Sequence, residues 1–455
     1  LYAAQFLGRW GAGMWDFLVA LLLMRVGSNS LLLTAAYGLV QAAATSAFGA
    51  AIGSAVDKIS HIKASKAKRT ELLRSFFALI LCDHAQLLRL GIGTRNLSIA
   101  LSATALSPLL IPGSIPPLGR KLAIAIVHSL GAVGILSGLA VGILLERDWS
   151  EAVTLGELPG QSLTRINSAM KRIDLVCKML APAFVGIWLS SFSAIPCLIA
   201  TVAWNGLSLA LEYRLLSTVY HRAPALQKLS RSKKCQDKLD PRALSGVTQL
   251  VKGACIAMID GWASYFRQEV VLAAVALAVL HCTVLSFGFV MTAALAWKGV
   301  PAHIIGVARG LGAFLGVAAT YLYPVIQSKE GTGKAGLWAI STQWLCLMVS
   351  VASVWIHKTS VATSLLISGI VASRLGLWMF DLALSSHFCD AQSTVEEQER
   401  GRIGGVQSAL QSLMTLLSFV ITILAPDPKE FGRLVIISYV IVTIAALLFS
   451  SYFYR

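Results

Sequence analysis

Charge is what this sequence has least of. Only 13% of its 455 residues are Asp, Glu, Lys or Arg, against 56% hydrophobic ones and a mean hydropathy of +0.72. A soluble domain could not hide that much apolar surface, so a soluble fold is excluded. Acids are scarcer still, 22 against 38 basic residues. No His-Glu-x-x-His string, phosphate-cradling glycine loop or nucleophile–base constellation occurs, which argues against an enzyme. The eight cysteines are scattered through apolar runs and basic loops, with no obvious loop pair, so no structural disulfide is expected. The chain begins at Leu1 rather than Met; its true start is expected upstream, and no N-terminal address is legible.

What is present is hydrophobic length. Twelve apolar runs cover roughly 5–25, 31–56, 95–118, 121–145, 173–192, 195–220, 268–297, 302–326, 335–356, 360–388, 404–425 and 431–453. Each can cross a bilayer, and each must be a helix, because lipid offers the backbone no hydrogen-bond partner. The expected fold class is therefore an all-α polytopic membrane protein with twelve transmembrane helices. With the N-terminus inside, cytoplasmic segments hold 25 Lys and Arg and outer segments seven. That skew is the positive-inside rule and puts both termini in the cytoplasm. The formal charge of +16 thus reports topology and contact with anionic lipid, not nucleic acid.

The long polar stretch Arg222 to Arg267 divides the runs six and six. The expected organisation is an N-terminal six-helix lobe over 1–221, a cytoplasmic connector over 222–267 and a C-terminal six-helix lobe over 268–455. Such a layout, with lobes rocking about a midplane site, is that of major-facilitator transporters. Gly53-Ser-Ala-Val-Asp57-Lys58 follows the second run and fits the G-x-x-x-D-[RK] start of that superfamily's signature loop.

Longer strings point further. They are Asn29-Ser-Leu-Leu-Leu-Thr-Ala-Ala-Tyr-Gly38, Glu146-Arg-Asp-Trp149, Arg172-Ile-Asp174, Trp204-Asn205 with Glu212-Tyr213, and Asp260-Gly-Trp262. Beyond these come Arg374-Leu-Gly-Leu-Trp378 with Phe380-Asp-Leu382, Glu399-Arg-Gly401 with Gly405-Val-Gln407, and Leu424-Ala-Pro426 with Phe431-Gly432. In these strings, which run in family order from the first helix to the last, the chain resembles the ferroportins, solute carrier family 40. The resemblance implies alternating access by two lobes, with ferrous iron or another divalent metal, cobalt or nickel included, leaving the cytosol in exchange for protons. It implies a monomer without a permanently bound cofactor, in the plasma membrane or an organelle membrane. One region departs: residues near 64–90 are extra, and are expected to form an inserted cytoplasmic or interfacial helix unless they are a gene-model artefact.

Ferrous iron accepts carboxylate, imidazole and thiolate, so acids, His and Cys inside the runs are the candidate ligands. The family's first-helix pattern Trp-Gly-Asp-x-x-Trp-His reads Trp10-Gly-Ala12-Gly-Met-Trp15-Asp16 here. The acid is lost at Ala12, and Asp16, one turn on along the same face, can replace it. The Cys and His of the family's second site correspond to Phe289, on a helix that is broken in the family, and Ser418. His281 and Cys282, two turns before Phe289, are either a displaced site or a buried Cys beside a hydrogen-bonded His. Asn205, Ser208 and Glu212 form one polar stripe of the sixth helix. By resemblance these positions hold metal, or a calcium ion that supports transport. The Gln expected beside them is Arg95, which puts calcium in doubt and offers an ion pair with Glu212 instead. Asp174 and Cys177 share a face of the fifth helix, Asp174 either handling metal or pairing with Arg172 or Lys178. Asp57, Asp148, Asn167, Lys171, Arg172 and Arg400 correspond to the inner gate, or are solvated loop charges. Two other functions stay open, an organic or cationic solute on the same fold and a non-transporting sensor or scaffold.

Overall fold

The computed structural model describes residues 1–27, 30–61, 84–111, 113–145, 163–222, 262, 265–267, 270–392 and 397–454, and the described elements are helical. The first half contributes α1 (Tyr2–Val26), α2 (Leu32–His61), α3 (His84–Leu106), α4 (Pro117–Ile143), α5 (Leu163–Ser191) and α6 (Ala194–Arg222). The second contributes α7 (Val271–Val279), α8 (Phe289–Trp297), α9 (Ala302–Glu330), α10 (Thr332–Ala352), α11 (Thr359–Gln392), α12 (Glu397–Leu424) and α13 (Phe431–Phe453). Helices α7 and α8 are two nine-residue pieces on either side of an unwound stretch, 280–288, so the seventh run is one interrupted helix. Among the described residues, nine helices are long and apolar enough to cross a membrane.

Their outer faces confirm the solvent they are built for. Leu118, Leu122 and Ile126 on α4 and Ile199 and Leu207 on α6 are exposed, which suits hydrocarbon and not water. Lipid does not push apolar helices together, so their association rests on close packing of small residues. The seam between α5 and α9 shows this. A Cβ on Gly306 would sit 2.9 Å from the Ala183 Cα and strike the Pro182 carbonyl, and one on Gly310 would lie 2.9 Å from the Met179 carbonyl. One tight turn also depends on glycine: Gly331 alone joins α9 to α10, at a φ of +82° that an L side chain rarely adopts.

Helices α1–α6 pack on one another and α7–α13 do likewise, and the two groups meet along α5 with α9, α2 with α12 and α1 with α8. The described cross-group contacts gather toward the face opposite the termini. There the Leu31 amide donates to the Pro426 carbonyl at 3.0 Å, and Ser190 Oγ lies 3.0 Å from His303 Nδ1. Tyr37 stands edge-on to Phe289, ring centroids 5.3 Å apart, and Gly38 lies against the Phe419 ring.

Two boundaries differ from expectation. Helix α3 begins at His84, so 84–90 of the extra segment is its first two turns; the rest of that segment lies outside the described residues. Arg89 looks like an end in the sequence, yet Leu88 and Ile92 beside it are buried in a cluster with Ala4, Val141 and Leu216. The third run also ends early, at Leu106, with Ser107–Leu110 a single 3-10 turn started by Pro108. Cys177, Cys197, Cys282 and Cys346, the cysteines whose side chains are described, are all free.

Candidate transport site

The stripe on α6 is closed by an arginine. One Nη of Arg95, on α3, donates to both Glu212 oxygens, at 2.9 and 2.7 Å. Ser208 Oγ donates to the same carboxylate at 2.6 Å. The two charged side chains are 9% and 2% exposed. This is the pairing foreseen from the substitution at Arg95. The guanidinium has room because Gly8 faces it, where any Cβ would collide with its nitrogens. Asn205 donates to the Thr201 carbonyl at 2.8 Å, which leaves its own Oδ1 buried without a partner. That oxygen faces α1 at Gly11, where a Cβ would stand 2.9 Å away, beside the position of the lost acid, Ala12.

Asp16 is elsewhere. It lines a cavity of about 360 Å³ between the two halves of the chain, bounded by α1, α5, α9, α11 and the unwound stretch before α8. Asp174 reaches the same cavity from α5, so the structure brings these two predicted acids together. Asp174 is already paired, with Lys178 at 2.7 Å and Arg9 at 3.4 Å, the first of these partners expected and the second not. Pro182 lies on the wall where it interrupts the α5 ladder. Asp16 is placed differently. Arg309 on α9 lines the same cavity, as do Lys178 and Arg9, yet no hydrogen bond or ion pair to a described residue engages Asp16 or Arg309. Arg374 on α11 closes the cavity next to Trp378; its Nη2 donates to the Leu285 carbonyl at 2.7 Å, and its Nε is buried without a partner. A carbonyl freed by the break in α7–α8 is thereby satisfied by a side chain.

The remaining predicted residues do not converge here. Cys177 is buried, its thiol 3.7 Å from the Phe6 carbonyl, and does not line the cavity. His281 is exposed with Nδ1 3.0 Å from the Leu277 carbonyl, while Cys282 is buried, the arrangement of a helix end and a packed thiol. Phe289 packs on Tyr37, and Ser418 donates to the Thr415 carbonyl at 2.7 Å. Among the described residues no three of His, Cys, Asp and Glu come together as a metal-holding group. Of the gate residues, Arg172 is exposed near the start of α5. Asp148 and the side chains of Asp57, Asn167, Lys171 and Arg400 lie outside the described residues.

Arg9, Arg309 and the contact of Arg374 with the unwound stretch escaped sequence reading, and Lys178 was foreseen as a partner of Asp174 but not as part of a cavity wall. Arg309 carried a signal: it is a lone cation seven residues into an apolar run, as unusual there as the acid in α1.

Comparison with known proteins agrees with this architecture. A family model described as Ferroportin1 (FPN1) matches residues 1–442. A protein of Oryza sativa subsp. japonica named solute carrier family 40 member 1 is 40% identical over 464 residues, covering all of this chain and 90% of that protein. Among solved structures, a bacterial homologue of the iron transporter ferroportin in an inward-facing state aligns with a TM-score of 0.75 at 20% identity, covering 100% of this chain and 98% of that one. An outward-facing structure of a bacterial homologue with soaked iron aligns at 0.61 and 21%, with the same coverage. The fold is that of a major-facilitator transporter and the chain is not an enzyme. By the family model and by the rice relative, this chain belongs to the ferroportin family, solute carrier family 40.

Proposed function

We propose that the protein is an exporter of divalent metal, ferrous iron first and cobalt or nickel next, working by alternating access with both termini in the cytoplasm. It acts as a monomer in the plasma membrane or an organelle membrane and exchanges metal for protons. The observation that carries this reading is Asp16: a carboxylate on α1, in a cavity between the lobes, engaged by no described side chain and faced by a cation of the opposite lobe. An intramembrane acid is costly and is kept where an ion or proton uses it. Asp16 offers hard oxygen to a borderline metal, and Asp174 lies in the same cavity. Arg309 stands as the counter-charge while metal is away, so metal entry and a change in the cross-lobe attraction are linked. That supplies the differential contact a two-state transporter needs. The contacts at Leu31–Pro426, Ser190–His303 and Tyr37–Phe289 close the face opposite the termini, which suits a state open to the cytoplasm.

Calcium is not part of this mechanism. Arg95 already neutralises Glu212, and a second cation there would meet the guanidinium. Proteoliposomes carrying the wild type should release ferrous iron down its gradient faster when protons can move the other way, and the Asp16→Ala variant should not. Equal iron flux in that variant removes Asp16 from the site; flux indifferent to the pH gradient removes the proton exchange.

A further inference from the structure

The central cavity is polarised between the lobes. Its N-terminal wall carries two acids and two bases: Asp16 and Arg9 on α1, Asp174 and Lys178 on α5. Its C-terminal wall carries cations only, Arg309 on α9 and Arg374 on α11. On the first wall Asp174 is consumed by Lys178 and Arg9. On the second, Arg374 spends one nitrogen on the Leu285 carbonyl and keeps a buried Nε without a partner, while Arg309 contacts no described hydrogen-bonding group. A bare dication at Asp16 would stand opposite two guanidinium groups and leave both uncompensated at membrane depth, where an unpaired charge is most costly. Guanidinium groups are the side chains best shaped for carboxylate, through paired hydrogen bonds.

We propose that the cavity takes the metal together with a small polycarboxylate, the cation on Asp16 and the free carboxylate on Arg309 and Arg374. This rests on the metal-export reading and names its substrate as a chelate. The volume of about 360 Å³ lies in the range of small-molecule sites, more than a single ion needs. Such a ligand touches both lobes at once, the metal end on α1 and the carboxylate end on α9 and α11, so its presence reports to the whole rocking unit. No covalent step is involved; the complex enters and leaves intact.

The test uses full-length protein in proteoliposomes loaded with radiolabelled citrate and cobalt, and citrate binding to purified protein in detergent. Citrate and cobalt should leave together. Arg309→Gln and Arg374→Gln should each weaken citrate binding by about tenfold, as loss of a charge-assisted pair does. Arg309→Gln should also strengthen binding of cobalt alone, by removing repulsion, a gain that a misfolded variant would not show. Cobalt moving while citrate stays, with citrate binding unchanged in Arg309→Gln, overturns the chelate and leaves metal export standing. Citrate moving without cobalt and indifferent to Asp16→Asn overturns the chelate and metal export together. Inorganic phosphate replacing citrate with equal effect also overturns it, since phosphate would mark a general anion site.

Discussion

Two polar regions inside the same bilayer-sized bundle are built in opposite ways. Behind α1, Arg95, Glu212 and Ser208 form a set in which the two opposite charges meet at hydrogen-bond distance, with only the Arg95 Nε left buried without a partner. In front of α1, Asp16 and Arg309 share a cavity without touching. The first is how a membrane protein buries charge when the charge is structural: the partner is supplied by the chain and locked in place. The second leaves electrostatic demand for something that comes and goes. Ala12, the family's acid position, lines the cavity with Asp16, so what separates the two regions is whether the acid is already satisfied and not its closeness to that position.

The contrast can be broken most severely at the Arg95–Glu212 pair. Arg95→Ala should cost about 3–5 kcal/mol of stability, because it strands the Glu212 charge. A paired Arg95→Leu, Glu212→Leu variant should recover much of that in a thermal-unfolding assay. Stability unchanged in Arg95→Ala would show that the pair is dispensable. Asp16→Asn should leave thermal stability near the wild type but reduce metal flux by on the order of 100-fold, since even outer-shell partners of metal sites are worth 10–100-fold. Full flux in that variant would erase the distinction between the regions.

Smaller effects sharpen it. Gly306→Val should push α9 off the Pro182 carbonyl at a cost of about 1–3 kcal/mol, typical of overpacking. The lobes should then part at the face opposite the termini, read as faster thiol labelling of a cysteine placed at Ser190; unaltered labelling would mean the seam is not the hinge of closure. Tyr37→Phe removes the acceptor for Trp15 Nε1, a 3.0 Å bond, and should cost about 0.5–1.5 kcal/mol in thermal unfolding while keeping the ring against Phe289. A larger loss would assign the hydroxyl a part in the cavity.

Much of this was legible in the residues. Apolar run length marks the helices, because a bilayer imposes one length on them, and a lone acid in α1 stands out for the same reason. The Arg95–Glu212 pair was readable because an arginine in place of a neutral residue must find an anion. What escaped was charge seen through topology. Basic residues were read as markers of the cytoplasmic side, so Arg309, Lys178 and Arg9 were not weighed as cavity walls, although each sits within a helix. The unwound stretch 280–288 has no proline to announce it, so the break was carried by the resemblance alone, and the bond from Arg374 to Leu285 spans 89 residues that no local pattern links. The stripe on α6 was placed on one face, but the sequence could not reveal that α1 stands between that face and the central cavity. Helix α3 began early because Leu88 is held by tertiary packing with α1, α4 and α6, which no local pattern encodes.

Cobalt binding to the purified protein, followed by titration calorimetry in the wild type, Asp16→Asn, Asn205→Ala and Ser208→Ala, is the most direct test of where the cargo sits. Binding should vanish in Asp16→Asn and persist in the two α6 variants. Loss in the α6 variants with binding intact in Asp16→Asn would place the cargo behind α1 and contradict the account.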